Sequence, residues 1–228
     1  MHGKQETSQI PRVTCTVLHA AMVAVAAWIY YGGGAAFFSS LVGRPDPLPG
    51  NPGRHLVLTG FALLVFIRIL LTFFVLLKRQ FPWSEFWGVT TALFAYQVGF
   101  ALFAIGETQP VGVLDFIAIA IFLLGSYLNT ASELQRKKFK DDPQNRGKLY
   151  TDGLFRYARH INYFGDFLWV ASWALITRNV WALTIPLTLG LGFIYYFIPP
   201  LTSHLRAKYG KEFDDWEKRT KAFIPFIY

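Results

Sequence analysis

The chain has 228 residues, of which 53% are apolar, 18% aromatic and only 16% charged. Soluble domains average roughly 45–50% apolar and about 25% charged, so the composition excludes intrinsic disorder and argues against an ordinary soluble fold. The single Cys15 excludes a disulfide framework and a cysteine-based zinc site, and the net charge of +8 has to be explained by where the charges sit.

Six apolar stretches follow one another, at about 13–31, 56–77, 86–105, 111–130, 163–177 and 180–200. A bilayer core about 30 Å thick takes about 20 apolar residues as helix, and a helix satisfies its own backbone groups in lipid. The fifth stretch is short for this purpose. The expected fold is therefore an all-α, polytopic integral membrane helix bundle of about six transmembrane helices, with a seventh left open. Residues 1–228 read as a single membrane domain.

With the N-terminus placed in the cytoplasm, eighteen of the 22 basic residues fall on that side. They are Lys4 and Arg12 in the leader, Lys78 and Arg79 after the second stretch, and a run from Arg136 to Arg159 after the fourth. The last group, Arg206 to Lys221, is in the tail. This is the positive-inside asymmetry; it puts both termini in the cytoplasm and leaves nucleic-acid binding unsupported. Trp28, Tyr30 and Tyr31, Trp83 and Trp87, and Trp181 with Tyr195 and Tyr196 mark the interfacial levels. The leader holds Gln5 and Glu6 and reads as retained rather than cleaved. Pro45-Asp46-Pro47-Leu48-Pro49-Gly50 marks an irregular outer loop.

Polar groups at membrane depth are candidates for function, and they gather at the cytoplasmic ends of the fourth and fifth stretches. Asn129 and Glu133 are four apart, as are Asn162 and Asp166, so each pair shares one helix face. Lys137, Lys140, Arg156, Arg159, Arg206 and Lys208 surround them. A basic, hydrogen-bonding mouth on an apolar bundle suits a ligand with an anionic head and an apolar reaction partner. The histidines show no metal spacing. His19 reads as a packed histidine, and Asp214–Arg219 as a short surface helix of mixed charge.

From about residue 120 onward the chain resembles the membrane steroid 5-alpha-reductase family, within a wider group that includes sterol reductases and isoprenylcysteine carboxyl methyltransferases. The matching pieces are Gly125-Ser126-Tyr127-Leu128-Asn129 leading to Ser132-Glu133, and Gly153-Leu154-Phe155-Arg156-Tyr157. Arg159-His160-Ile161-Asn162-Tyr163-Phe164-Gly165-Asp166 and the closing Lys221-Ala222-Phe223-Ile224-Pro225-Phe226-Ile227-Tyr228 complete them. The resemblance implies NADPH-dependent reduction of a carbon–carbon double bond conjugated to a carbonyl. It implies that Asn129, Glu133, Lys137, Lys140 and Tyr209 hold the cofactor, with Asn162 and Asp166 beside its nicotinamide end. Arg159, His160, Tyr163 and Arg206 around them are further cofactor-binding candidates, and Asp166 and Tyr157 are catalytic candidates, with Tyr96 and Glu107 also open as the group that polarises the carbonyl. Residues 111–228 would form the cofactor-binding region, and the spans within 1–110 the substrate side. Asp166 stands where the family usually has Glu, Ile161 where many members have Pro, and six spans where seven are usual.

The leading expectation is thus a multi-pass enzyme of a bacterial inner membrane or the endoplasmic reticulum, with its active site facing the cytoplasm. Its partners would be membrane lipids and a lipophilic substrate entering from the bilayer, with no nucleic acid and no metal; the oligomeric state is left open. The alternative is an S-adenosylmethionine-dependent methyltransferase, and a third is a non-catalytic member of the same family.

Overall fold

The computed structural model describes residues 9–44, 47 and 49–228. Lys4, Gln5 and Glu6 of the leader, and Pro45, Asp46 and Leu48 of the outer loop, lie outside the described residues. The chain is a multi-pass helix bundle, and its described residues contain no strand. Contacts gather into two compact units, one comprising the residues up to Gly112 with Ile176–Ala182, the other Val113–Leu175 with Leu183–Tyr228.

In the first unit, α1 (Ile10–Tyr31) packs against α3 (Pro52–Leu71) and α4 (Trp83–Phe94), with the short α2 (Gly34–Leu41) folded back on α1. Proline and asparagine set the start of α3. Pro52 occupies the first helical turn, where its missing N–H is not needed, and the Asn51 side chain accepts from the Arg54 N–H at 3.1 Å. A π-helical turn, Thr72–Leu76, ends this span; another, Ala95–Gly99, joins α4 to α5 (Phe100–Phe103). Two buried polar side chains make hydrogen bonds within this unit. Gln97 Nε2 lies 2.8 Å from His19 Nε2 and donates to the Ala62 carbonyl at 3.3 Å. Arg54, fully buried, donates to the carbonyls of Ile176 at 2.6 Å and Gln109 at 3.2 Å.

The second unit carries α6 (Val113–Asp141), α7 (Ile161–Ile176), α8 (Thr184–Gly192), α9 (Ile198–Tyr209) and α10 (Lys211–Arg219). With 29 residues, α6 runs about 44 Å at 1.5 Å per residue. That exceeds the roughly 30 Å of a bilayer core, so its last three turns project beyond the apolar stretch and carry the basic residues. A π-helical turn, Phe193–Phe197, precedes α9, where Pro199 and Pro200 lack the N–H that an uninterrupted helix would use. Gly210, at φ 53°, turns the chain from α9 into α10, a conformation glycine adopts without steric cost.

Among the described residues, five helical stretches are long and apolar enough to cross a membrane: Ile10–Tyr31, Pro52–Leu76, Trp83–Phe103, Val113–Asp141 and Val180–Tyr209. The remaining expected stretch, 163–177, corresponds to α7. Its 16 residues give about 24 Å of helix, short of a full crossing by itself.

Candidate functional site

Two glycines bring the polar ends of α6 and α7 together. A Cβ on Gly165 would stand 2.6 Å from the Asn129 nitrogen and 2.7 Å from the Gly125 oxygen; one on Gly125 would stand 2.6 Å from the Gly165 oxygen. Backbone thus lies on backbone, as small residues permit where helices cross in lipid. One turn further along α6, Asn129 Nδ2 donates to the Asn162 carbonyl at 3.2 Å. The Asn162 amide in turn donates to Glu133 Oε1 at 2.9 Å, and Glu133 Oε2 pairs with Arg136 at 2.5 Å.

Two members of this chain of bonds, Arg136 and Asn162, line a half-open cavity of about 360 Å³. Arg136, Lys140, Arg159, His160, Asn162 and Tyr163 line it; so do Leu149, Tyr150 and Phe155 of the α6–α7 connection, Leu201, Leu205 and Tyr209 of α9, and Trp216 of α10. The connection is held down by Gln135, whose side-chain oxygen accepts from the Leu154 N–H at 2.9 Å, and by Glu212, which accepts from the Leu149 N–H at 3.1 Å. The tail is tied to the start of α7: Arg159 N–H donates to Lys221 O at 2.8 Å and His160 N–H to Ala222 O at 2.9 Å.

The expected site residues divide into two sets. Lys140, Arg159, His160, Asn162, Tyr163 and Tyr209 line the cavity, and Lys140 Nζ bonds the Tyr209 hydroxyl at 3.1 Å. Asn129 and Glu133 stand behind it and hold Asn162. Lys137 pairs instead with Asp141 at 2.6 Å, and Arg206 with Asp214 at 3.2 Å and with Glu217. Asp166 Oδ1 accepts from the Trp169 indole at 2.8 Å, and Tyr157 packs on Phe226 at the surface; neither lines the cavity. Arg136, Tyr150 and Trp216 belong to the wall without having been singled out from the sequence. For Trp216 a signal exists: Phe213 and Trp216 are three apart, and both are buried on the inner face of an otherwise charged α10.

The electrostatics favour a negatively charged visitor. Arg136 and Lys140 face the cavity, while Arg159, almost fully buried, is tied to Thr220 O at 2.8 Å and to Glu217 at 3.1 Å. Burial pulls the Arg159 guanidinium below its ordinary pKa, and Glu217 opposes the shift. Burial and the neighbouring Asp152 push the Tyr150 phenol above its ordinary range, so it stays a protonated donor at neutral pH. His160 is buried, stacks on Tyr163 at 5.6 Å, and is lowered to about 4, first by desolvation and then by Arg159 and Arg136. It is therefore neutral in the folded protein at pH 7. Because the unfolded chain binds that proton near the ordinary value of about 6.5, the stability present above pH 6.5 is lost as pH falls toward 4. His160→Gln is expected to flatten the pH dependence of the thermal midpoint over that window. An unchanged slope would show that the neutral imidazole is not responsible.

Among the described residues, no group of three His, Cys, Asp or Glu side chains is placed to hold a metal ion. The family model described as "Protein of unknown function (DUF1295)" matches residues 72–220. The chain is 32% identical to the Delta(14)-sterol reductase erg24 of Schizosaccharomyces pombe over 146 residues, covering 51% of this chain and 31% of that protein. It is 34% identical to the probable O-methyltransferase ustE of Ustilaginoidea virens, covering 46% and 38%. It is 28% identical to the steroid 5-alpha-reductase DET2 of Arabidopsis thaliana, covering 49% and 41%. The chain thus spans about a third of the length of the curated relatives it matches first.

Proposed function

The chain belongs to the DUF1295 family, and on that footing we propose that it is a membrane-embedded, NADPH-dependent reductase. Its substrate would be a lipophilic molecule of the steroid or sterol class, reduced at a carbon–carbon double bond conjugated to a carbonyl. Similarity to proteins named as sterol and steroid reductases supports the reaction class. The observation that carries the cofactor assignment is the donor set of the cavity. Arg136 and Lys140 offer cationic donors, Asn162 a neutral amide, and Tyr150, Tyr163 and Trp216 aromatic walls, around a volume of about 360 Å³. That volume lies at the lower end of the range for ligand pockets and suits part of a dinucleotide, the rest lying along the open side beneath the basic end of α6.

When bound, the nicotinamide would supply a hydride for the β-carbon of the substrate, and the enolate so formed would take a solvent-derived proton at its α-carbon. The residues of this chain bind and orient. Arg136 and Lys140 hold phosphate charge, bidentate recognition being open to the arginine. Glu133 fixes Asn162 and Arg136 in place, and Asn129 braces the first turn of α7. The buried cluster of Leu149, Phe155, Ala158, Ile161, Phe213 and Trp216 keeps water from the inner wall. Asp166 and Tyr157 are the proposed groups for polarising the substrate carbonyl, a task in which positioned donors matter most as charge builds on oxygen. The positive-inside pattern supports a cytoplasmic mouth, with substrate reaching the protein from the bilayer.

Similarity to a protein named as a probable O-methyltransferase favours a second reading, methyl transfer from S-adenosylmethionine to a lipophilic acceptor. The two cations on the cavity wall weigh against it, because the donor sulfonium is itself a cation. The purified protein, incubated with NADPH and a panel of conjugated enone steroids and sterols, should consume NADPH in step with saturated product. Turnover of S-adenosylmethionine on a lipophilic acceptor, with no NADPH consumption, would replace the first reading by the second.

A further inference from the structure

Residues 221–228 leave the charged helix α10 and return to the apolar part of the bundle. Phe223 is buried, its ring 5.8 Å from Phe193 and 6.1 Å from Phe167. Phe193 stands seven residues before the end of its apolar run at about residue 200, which is about 10 Å of helix. The segment therefore reaches bilayer depth from the basic end of the bundle. There it turns on itself. The N–H groups of Phe223 and Ile224 donate to Tyr228 O at 2.6 and 2.7 Å, and those of Ile227 and Tyr228 to Ile224 O at 3.1 Å.

The turn holds Phe226 at φ 66°, a left-handed conformation that a bulky residue rarely adopts. Such strain persists only where the surroundings enforce it, and here it packs nothing away: Phe226 is 78% exposed and Ile227 73%. Tyr157 lies 6.1 Å from Phe226, with the Arg156 guanidinium 5.2 Å over the tyrosine ring. Lys221, at the start of the segment, is exposed. An apolar tip beside an aromatic ring and cations is the chemistry of the level where acyl chains meet phosphates.

We propose that residues 221–228 form a membrane-inserted element. Phe226 and Ile227 sink among the acyl chains of the leaflet at the basic end of the bundle, and Arg156 and Lys221 meet the phosphates of its anionic lipids. By the positive-inside pattern this is the cytoplasmic leaflet, whose surface is negative. Lys221 and Ala222 accept the N–H groups of Arg159 and His160, so the element also anchors the start of α7 to the lipid surface.

Cys15 is the sole cysteine and is fully buried, so a thiol-reactive nitroxide labels an introduced cysteine selectively. Phe226→Cys and Ile227→Cys are labelled in the full chain and reconstituted into vesicles of phosphatidylcholine and phosphatidylglycerol. Lys218→Cys, on the exposed face of α10, is the water reference. Oxygen concentrates among acyl chains and a nickel chelate stays in water. At 226 and 227 oxygen should speed relaxation of the probe severalfold more than the chelate does, with the reverse order at 218. If Phe226→Cys does not fold, Ile227→Cys decides alone. A chelate-dominated response at 227, like that at 218, would place the segment in water. Exclusion of both reagents at 227 would mean that protein covers it, as a second copy of the chain would. Either result overturns the proposal.

Discussion

Gly165→Ala is expected to lower the thermal midpoint of the detergent-purified, ligand-free protein by about 6–12 °C. The added methyl would stand 2.6 Å from the Asn129 nitrogen and 2.7 Å from the Gly125 oxygen. Both are backbone atoms of α6, so no side chain can swing aside and the two helices must separate. Overpacking a close contact costs about 1–3 kcal/mol, with backbone contacts at the upper end, and each kcal/mol moves the midpoint of a chain of this size by about 2–4 °C. Gly60→Ala is the control. It sits within α3 with nothing within 4 Å of the added methyl, so the gain in helix propensity should leave the protein as stable or more so. Equal midpoints for the two variants would mean that α6 and α7 do not meet at these glycines.

Glu133→Ala should weaken NADPH binding by about tenfold or more. The variant removes the acceptor of the Asn162 amide at 2.9 Å and the partner of Arg136 at 2.5 Å, so two cavity-wall groups lose their restraint at once. Loss of hydrogen bonds to a charged group is worth about 1.5–3 kcal/mol. A competing effect has the opposite sign: deleting a carboxylate makes the mouth more positive and favours phosphate. At a partly exposed site that Coulomb gain is about 1 kcal/mol or less, so positioning wins. Glu133→Gln keeps an acceptor for Asn162 and should bind closer to wild type. Unchanged affinity in both Glu133→Ala and Asn162→Ala would remove these residues from the site.

The spans were legible because each apolar run is long, and α7 was legible as short because its apolar run is short. The meeting of α6 and α7 was not. Gly125 and Gly165 are single glycines in apolar helices, and nothing in their sequence neighbourhood says which glycine touches another backbone and which, like Gly60, touches nothing. Asn129 with Glu133, and Asn162 with Asp166, were paired from helical spacing, whereas Lys140 came from the resemblance. Lys137 and Arg136 illustrate the finer use of that spacing. At about 100° per residue, Arg136 lies about 20° and Lys140 about 20° from Asn129 around the axis of α6, whereas Lys137 lies about 80° away. Helix geometry therefore puts Arg136 and Lys140 on the face of Asn129, and both line the cavity; the resemblance had pointed to Lys140 together with Lys137. Tyr150 and Phe155 arrive through a connection pinned by Gln135 and Glu212, and such tertiary hydrogen bonds leave no periodic trace.

The most direct test of the central claim is the thermal midpoint of the purified protein measured in parallel with NADPH, NADH and S-adenosylmethionine. A ligand that binds only the folded state stabilises it by RT ln(1 + [L]/Kd), about 2.7 kcal/mol at a hundredfold excess over Kd. NADPH should raise the midpoint well above the other two, and at the same NADPH concentration a tenfold loss of affinity in Glu133→Ala should remove about half of that rise. Stabilisation by S-adenosylmethionine alone, or by none of the three, would contradict it.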